Sequence, residues 1–196
     1  MDKIGITAEP KDNQTCNFKV DRPVYPDSSM YFGDAAQAAG SPLAEKIFAI
    51  GGVSSVLIQD SVVTVSATAG DDWMPIAKQV GASIRSVLES GEAAVSTKAL
   101  ASLPDPDEIK KRVQAVLDTE INPSVASHGG WVELIDVRKN ELFIKMGGGC
   151  QGCGMADVTL KQGVEKSIRQ AIPSIGAIMD TTDHASGRNP YYAASK

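Results

Sequence analysis

The sequence contains little of what several large protein classes require. Its 196 residues include three cysteines, an odd number that cannot pair completely within one chain, so a disulfide framework is excluded. Aromatic residues make up only 5%, too few for the stacking surface of a single-stranded nucleic-acid binder. The formal net charge of -5 also argues against nucleic-acid binding through bulk charge.

Long apolar runs and targeting segments are missing as well. No apolar run approaches the roughly 20 residues that a transmembrane helix needs. The start of the chain lacks the basic and apolar segments of a signal peptide, and it lacks the Arg- and Ser-rich composition of a transit peptide. We therefore expect no membrane partner and a cytoplasmic location. No catalytic triad, phosphate loop or paired acidic motif is visible, so we expect no enzymatic activity.

The composition and the positions of linker-forming residues predict two small globular domains. Apolar residues make up 42% and charged residues 22%, a balance that suits a buried core. Residues 91–98 are small and weakly patterned, and prolines at positions 104 and 106 follow them. We predict a first domain over residues 1–90, a linker over 91–104, a second domain over 105–182 and a flexible tail over 183–196.

The first half alternates strand and helix signals. Residues 15–20 alternate as a strand, and residues 22–40, with Pro23 and Pro26, are predicted to form a loop. Ser41 and Pro42 favour a helix start. Residues 53–58 and 62–67 have the pattern of a hairpin. A helix begins near residue 71 or 72, with an apolar stripe formed by Trp73, Ile76, Ala77, Val80, Ile84, Val87 and Leu88.

The second half repeats this order of elements. A helix is predicted from Asp105 or Asp107, Asn122-Pro123 kinks or restarts it, and a Gly-Gly pair closes it. A hairpin over 131–137 and 141–146, a helix and a last strand over 175–179 follow. We predict an α+β fold with helices packed on an antiparallel sheet in each domain. Counted from Gly52 and Gly130, the second hairpin strand ends at about the same distance, which indicates a weak internal repeat.

The two halves differ where the second copy carries a cysteine loop. Residues 147–154 contain five glycines around Cys150 and Cys153. So many glycines suit a backbone that turns sharply or approaches a ligand closely. A helix that begins directly after Cys153 would also favour thiolate over thiol. This pattern indicates two reactive sulfurs that bind a polar partner.

Two thiolates supply only half of a common metal site. Zinc sites and iron–sulfur clusters take about four protein ligands. Cys16 lies in a predicted strand and is interpreted as a small buried residue, while His128 suits a turn or cap and His184 a solvated tail. The simplest way to reach four thiolates is to share one site between two chains.

Three functions remain open for the cysteine pair at this point. They are an iron–sulfur cluster between two chains, a structural zinc shared in the same way, and a dithiol–disulfide oxidoreductase. A thioredoxin-like site needs a βαβ unit with a parallel strand, whereas a hairpin precedes this pair.

Two further features have ordinary structural interpretations. Trp131 and Val132 could form a partner surface, but packing within the hairpin is favoured. The basic run over residues 110–112 could contact acidic targets, but a solvated helix face is favoured.

The second half resembles the Nfu domain, the C-terminal domain of NifU-type iron–sulfur proteins. The resemblance covers about residues 106–180 and depends on four short motifs, which are Ile121-Asn122-Pro123, His128-Gly129-Gly130, Gly147-Gly148-Gly149-Cys150-Gln151-Gly152-Cys153 and Asp157-Val158-Thr159-Leu160-Lys161. The first half resembles, less strongly, the Nfu N-terminal domain through Arg22-Pro23-Val24 and the order of its elements.

The resemblance implies an iron–sulfur cluster scaffold or carrier. Cys150 and Cys153 would be the iron ligands, and a second copy of the chain would supply the same two cysteines. The cluster would be 4Fe–4S, with 2Fe–2S as the alternative, and it would bridge a homodimer. The implied partners are apo iron–sulfur proteins, recognised with the help of the first domain, and upstream cluster-assembly proteins.

Overall fold

The computed structural model describes residues 3–68, 73–101, 103–127, 129–148 and 154–182, without the side chains of 154–160. The chain divides into two units, Met1–Leu103 and Pro104–Lys196. Each unit contains helices and its own sheet, so the predicted α+β class is confirmed. No helix in these described ranges is long and apolar enough to cross a membrane.

Unit 1 contains a five-stranded antiparallel sheet with the order β1-β2-β5-β4-β3. The strands are β1 (Ile6–Pro10), β2 (Thr15–Val20), β3 (Tyr25–Phe32), β4 (Val53–Asp60) and β5 (Val62–Ala67). The helices are α1 (Pro42–Phe48), α2 (Met74–Ser90) and α3 (Thr97–Ala101). The predicted hairpin is therefore formed by β4 and β5, at the centre of the sheet.

Alternating strand residues and one face of α2 form the core of unit 1. Every second residue of β2 is buried, and Val80, Ile84 and Val87 of α2 are fully buried. Burying an aliphatic side chain of this size contributes about 1.5–3 kcal/mol relative to leaving it in water. The apolar stripe predicted for this helix is confirmed.

The prediction of a loop over residues 22–40 is wrong for its central part, which forms β3. This strand lies at one edge of the sheet, and its register shifts between Tyr25 and Ser29. Proline is tolerated at an edge or a bulge because no ladder hydrogen bond is lost there. Pro26 therefore marks an irregular edge strand rather than the absence of a strand.

Most of the segment over residues 91–103 contacts the core of unit 1. Ala94 and Val95 are buried in this core, and Leu103 packs against it. The Ser96 backbone N–H donates to the Ser41 hydroxyl over 3.2 Å, which joins this segment to the start of α1. These residues therefore extend unit 1 beyond the end of α2.

Unit 2 contains a three-stranded mixed sheet with the order β6-β7-β8. Its elements are α4 (Pro106–Val116), a π-helical turn (Leu117–Ile121), α5 (Asn122–Ala126), β6 (Gly130–Arg138), β7 (Glu141–Gly148), α6 (Gly154–Ala171) and β8 (Ile178–Asp180). The hairpin β6–β7 is antiparallel, whereas β8 pairs in parallel with β7. A last strand is predicted over residues 175–179, but its parallel pairing with β7 is not, and α6 is the crossover that this pairing requires.

The helical entry to unit 2 follows the predicted signals. The Asp105 carboxylate accepts hydrogen bonds from the backbone N–H groups of Asp107 and Glu108, at 3.0 and 2.9 Å. This confirms the predicted helix start near Asp105, and such an N-cap typically stabilises a helix by about 1 kcal/mol. Pro123 has no backbone N–H to donate, and the predicted kink takes the form of the π-helical turn followed by α5.

Candidate functional site

The cysteine loop connects β7 to α6. Cys150 and Cys153 lie outside the described residues, and so do His128 and His184. Their assignment as ligands or turn residues therefore stays a prediction. What the structure does describe are the two stems of this loop, since β7 ends at Gly148 and α6 begins at Gly154.

The first stem has no space for a side chain at Gly147. Trp131 of β6 lies opposite Gly147 in the strand register, and its ring lies across the glycine. A Cβ atom added at Gly147 would lie 2.1 Å from Trp131 Cζ2. The expected packing of Trp131 within the hairpin is confirmed, although 40% of its surface remains exposed.

The next residue, Gly148, is restricted by backbone instead. Its φ is +67°, and an added Cβ atom would lie 1.9 Å from the Gly129 carbonyl oxygen. Only glycine combines this left-handed conformation with such a close approach. So many glycines are expected where the backbone turns sharply or approaches a ligand closely. At Gly147 and Gly148, however, the described contacts are with Trp131 and with the backbone that precedes β6.

The second stem is the beginning of an 18-residue helix. Because α6 begins at Gly154, its first residue follows Cys153 directly. The free N–H groups and the positive end of the helix dipole lower the pKa of a thiol in this position in proteins generally. The predicted helix start is confirmed, and it suits a metal-binding or redox-active cysteine.

The remaining cysteine has a different environment. Cys16 is fully buried in the core of unit 1, where it belongs to β2. Burial is the main cause that raises the pKa of the Cys16 thiol. A raised pKa opposes formation of the thiolate that a metal ion needs. The interpretation of Cys16 as a small buried residue is confirmed.

Other candidate features of unit 2 are accounted for by the fold. Val132 is buried in the core, and residues 110–112 of α4 form an exposed face on which Arg112 pairs with Glu108 at 2.7 Å. Within the part of the chain that the structure describes, no group of three or more His, Cys, Asp or Glu residues could hold a metal ion. The cysteine pair therefore remains the candidate site.

Comparison with known protein families assigns both units. Residues 5–91 match the N-terminal family described as "Scaffold protein Nfu/NifU N terminal", and residues 113–179 match the family described as "NifU-like domain". The chain is a two-domain member of the Nfu/NifU family. The resemblance that the sequence motifs indicated is confirmed.

Named relatives agree with this Nfu/NifU assignment. The chain is 51% identical over 88 residues to "Fe/S biogenesis protein NfuA" of Pseudomonas savastanoi pv. phaseolicola, a match that covers 43% of this chain and 45% of the relative. It is also 51% identical over 85 residues to the protein of the same name from Pseudomonas aeruginosa, covering 43% of this chain and 44% of the relative. These matches thus span less than half the length of either relative.

A solved structure provides a weaker likeness. The solution NMR structure of a NifU-like protein from Saccharomyces cerevisiae aligns with a TM-score of 0.42 and 20% identity, covering 48% of this chain and 86% of the yeast chain. The α+β assignment of this Nfu/NifU chain therefore depends on its own elements.

Proposed function

We propose that this chain is a non-enzymatic carrier that binds a labile iron–sulfur cluster and transfers it to apo proteins. Cys150 and Cys153 of one chain, with the same two cysteines of a second copy, would bind one cluster between them. The proposed cluster is 4Fe–4S, and a 2Fe–2S form would use the same four thiolates.

The burial of Cys16 carries this proposal. The chain has three cysteines, and Cys16 is enclosed in the core of unit 1 with a raised pKa. Cys150 and Cys153 are therefore the two thiols that remain to bind a cluster. A cluster with four thiolate ligands then requires a second chain, and a two-fold symmetric dimer supplies it.

A shared cluster also suits transfer. A thiol of the recipient loses its proton and binds an iron atom, and the Cys150 or Cys153 thiolate that leaves this iron takes up a proton. Repetition of this exchange moves the cluster without any net oxidation or reduction. The start of α6 next to Cys153 stabilises the thiolate before and during the exchange.

One observation favours a second candidate, a dithiol–disulfide oxidoreductase. The hairpin before the cysteines predicts that no parallel βαβ unit is present. This prediction is wrong, because β7 belongs to the hairpin and is also joined through α6 to the parallel strand β8. A Cys-x-x-Cys pair at such a strand–helix junction is the setting of thiol redox sites.

The proposed partners follow from the carrier role. Unit 1 is proposed to recognise recipient proteins, which are apo iron–sulfur proteins, while upstream cluster-assembly proteins load the pair in unit 2. The proposed location of these exchanges is the cytoplasm. The relatives named Fe/S biogenesis proteins support the assembly role at this coarse level.

Anaerobic reconstitution tests the proposal directly. The chain is incubated with iron and sulfide, and iron, zinc, acid-labile sulfide and molecular mass are measured on one sample. A shared 4Fe–4S cluster requires about two irons and two sulfides per chain in a dimer. Cluster transfer to an apo ferredoxin is then followed by spectroscopy.

Two other results would overturn the carrier proposal. About half a zinc per chain without iron uptake would indicate a structural metal site. Absence of metal, together with reversible oxidation of Cys150 and Cys153 at a defined potential, would indicate the oxidoreductase.

A further inference from the structure

Near the end of β7, the backbone forms a hydrogen bond with a threonine side chain instead of with a neighbouring strand. The parallel strand β8 pairs with β7 only from Leu142 to Ile144. Beyond that point, the Met146 backbone N–H donates to the Thr182 hydroxyl over 2.7 Å. Thr182 is 2% exposed, so this bond is shielded from water. Met146 is followed directly by Gly147 and Gly148, the first stem of the cysteine loop.

The same threonine is held by an aspartate that also contacts α6. The Asp180 Oδ1 atom accepts a hydrogen bond from the Thr182 backbone N–H at 2.8 Å. Its Oδ2 atom lies 3.0 Å from Lys161 Nζ, in an ion pair where the Asp180 side chain is only 15% exposed. Asp180 therefore connects the turn after β8 to α6, the helix that forms the second stem.

These contacts join the two stems of the cysteine loop. The connection runs from Met146 at the end of β7, through Thr182 and Asp180, to Lys161 on α6. The two stems also share the core of unit 2, where Met146 of β7 and Val164 of α6 are both buried, and the polar contacts add a second connection close to the loop. Glycine-rich segments lose much conformational entropy when they are ordered, so fixed ends lower the cost of holding two sulfurs at one cluster.

We propose that Thr182 and Asp180 are positioning residues for the cluster site, since they hold β7 and α6 at the spacing that lets Cys150 and Cys153 bind together. This inference rests on the proposed function. Residues that orient metal ligands without touching the metal typically change metal affinity about 10- to 100-fold when they are replaced. The cluster should therefore be lost faster when the clamp formed by Thr182, Asp180 and Lys161 is broken.

The substitution Thr182→Val tests the clamp, and Thr181→Val is its matched control. Valine preserves the shape of threonine, but Thr182→Val removes the acceptor of the Met146 N–H. The Thr181 hydroxyl donates to the Ile144 carbonyl oxygen, which keeps a second bond from the Thr181 backbone N–H at 2.7 Å. Both variants therefore lose one hydroxyl from the same segment, but only one loses the contact next to the loop.

The measurement is the rate at which reconstituted full-length dimers lose cluster absorbance to an iron chelator. It is made at a temperature where circular dichroism shows all apo variants folded. We expect Thr182→Val to lose its cluster about 10-fold faster than the unsubstituted chain. Thr181→Val should match the unsubstituted chain, and Thr182→Ser, which restores a hydroxyl, should recover most of the retention.

Each outcome separates this inference from the proposed function. If the unsubstituted chain takes up no cluster, the proposed function fails, and the positioning role fails with it. If it holds a cluster and Thr182→Val loses it at the rate of Thr181→Val, only the positioning role is overturned.

If Thr182→Val does not fold, Lys161→Gln tests the clamp instead, because it removes the ion pair with Asp180. Arg112→Gln is the control, since it removes an exposed ion pair elsewhere in the same unit. We expect about 2- to 5-fold faster loss for Lys161→Gln alone. Equal rates for these two variants would overturn the inference.

Discussion

The hairpins of the two units end in different ways. In unit 1, the Thr68 backbone N–H and hydroxyl both donate to the Gly52 carbonyl oxygen, at 2.9 and 3.1 Å, so a side chain closes the end. In unit 2, Gly148 occupies the matching place opposite Gly130, and backbone contacts backbone. The second hairpin strand of unit 2, predicted over residues 141–146, therefore ends two residues later than predicted, because β7 continues to Gly148.

This difference accompanies the different places of the cysteines in the two units. The shared order of helix, hairpin and helix builds a core in both units. Cys16 is a core residue of unit 1. In unit 2, the cysteine pair follows a strand whose last two residues are glycines. Near the end of β7, the Trp131 ring lies across Gly147, and the Thr182 hydroxyl accepts from the Met146 N–H.

The largest effect should come from exchanging the cysteines. Cys150→Ser or Cys153→Ser should each abolish stable cluster binding, because a shared site loses two of its four ligands, one from each chain. Both variants should keep their folding, as measured by urea unfolding. The matched variant Cys16→Ser should lower the free energy of unfolding by about 1–3 kcal/mol, since it buries a hydroxyl in an apolar core. It should retain the cluster.

The opposite results would contradict the assignment of Cys16 to the core and of Cys150 and Cys153 to the cluster. Loss of the cluster from folded Cys16→Ser would place that residue at the site. Strong unfolding of Cys150→Ser in the absence of metal would favour a role in the core.

The second effect concerns the glycines of unit 2. Gly148→Ala should lower the free energy of unfolding by about 3 kcal/mol, because it combines a positive φ with a clash against the Gly129 carbonyl. Gly163→Ala, on an exposed part of α6 with nothing within 4 Å, should instead raise it by up to about 1 kcal/mol. Equal effects of the two substitutions in urea unfolding would contradict the backbone contact described for Gly148.

A smaller effect is expected at the outer edge of β6. The Asn122 side chain accepts from the Val132 N–H at 2.8 Å and donates to its carbonyl at 3.0 Å, in the manner of a neighbouring strand. Asn122→Ala should lower the free energy of unfolding by about 1–2 kcal/mol, because a partly buried N–H loses its acceptor. Thr68→Val, which leaves the backbone bond to Gly52 in place on an exposed residue, should change it by less than about 0.5 kcal/mol.

Periodicity and capping signals predicted the elements whose apolar residues share one face. The stripe of α2, the helix start near Asp105 and both hairpins are examples. The edge strand β1 is short and mostly exposed, so it has no clear alternating pattern. The last strand β8 is predicted, but its parallel pairing depends on the crossover α6 rather than on its own residues. The clamp joins residues far apart in the chain, such as Met146 and Thr182, and no local pattern in the sequence identifies such a pair.

The smallest effect is an expected lack of reaction at Cys16. Burial raises the pKa of this thiol, so at pH 8 it stays protonated as well as shielded, while iodoacetamide reacts with thiolates. In the native apo chain we expect alkylation of Cys150 and Cys153 alone, measured by peptide mass spectrometry, and modification of Cys16 only in urea. An increase in pH should speed labelling of an accessible thiol as its thiolate forms, but Cys16 should remain unmodified until unfolding exposes it. Native labelling of Cys16 at a rate comparable to the pair would mean that unit 1 opens at this strand, and the contrast between the two cysteine environments would then be lost.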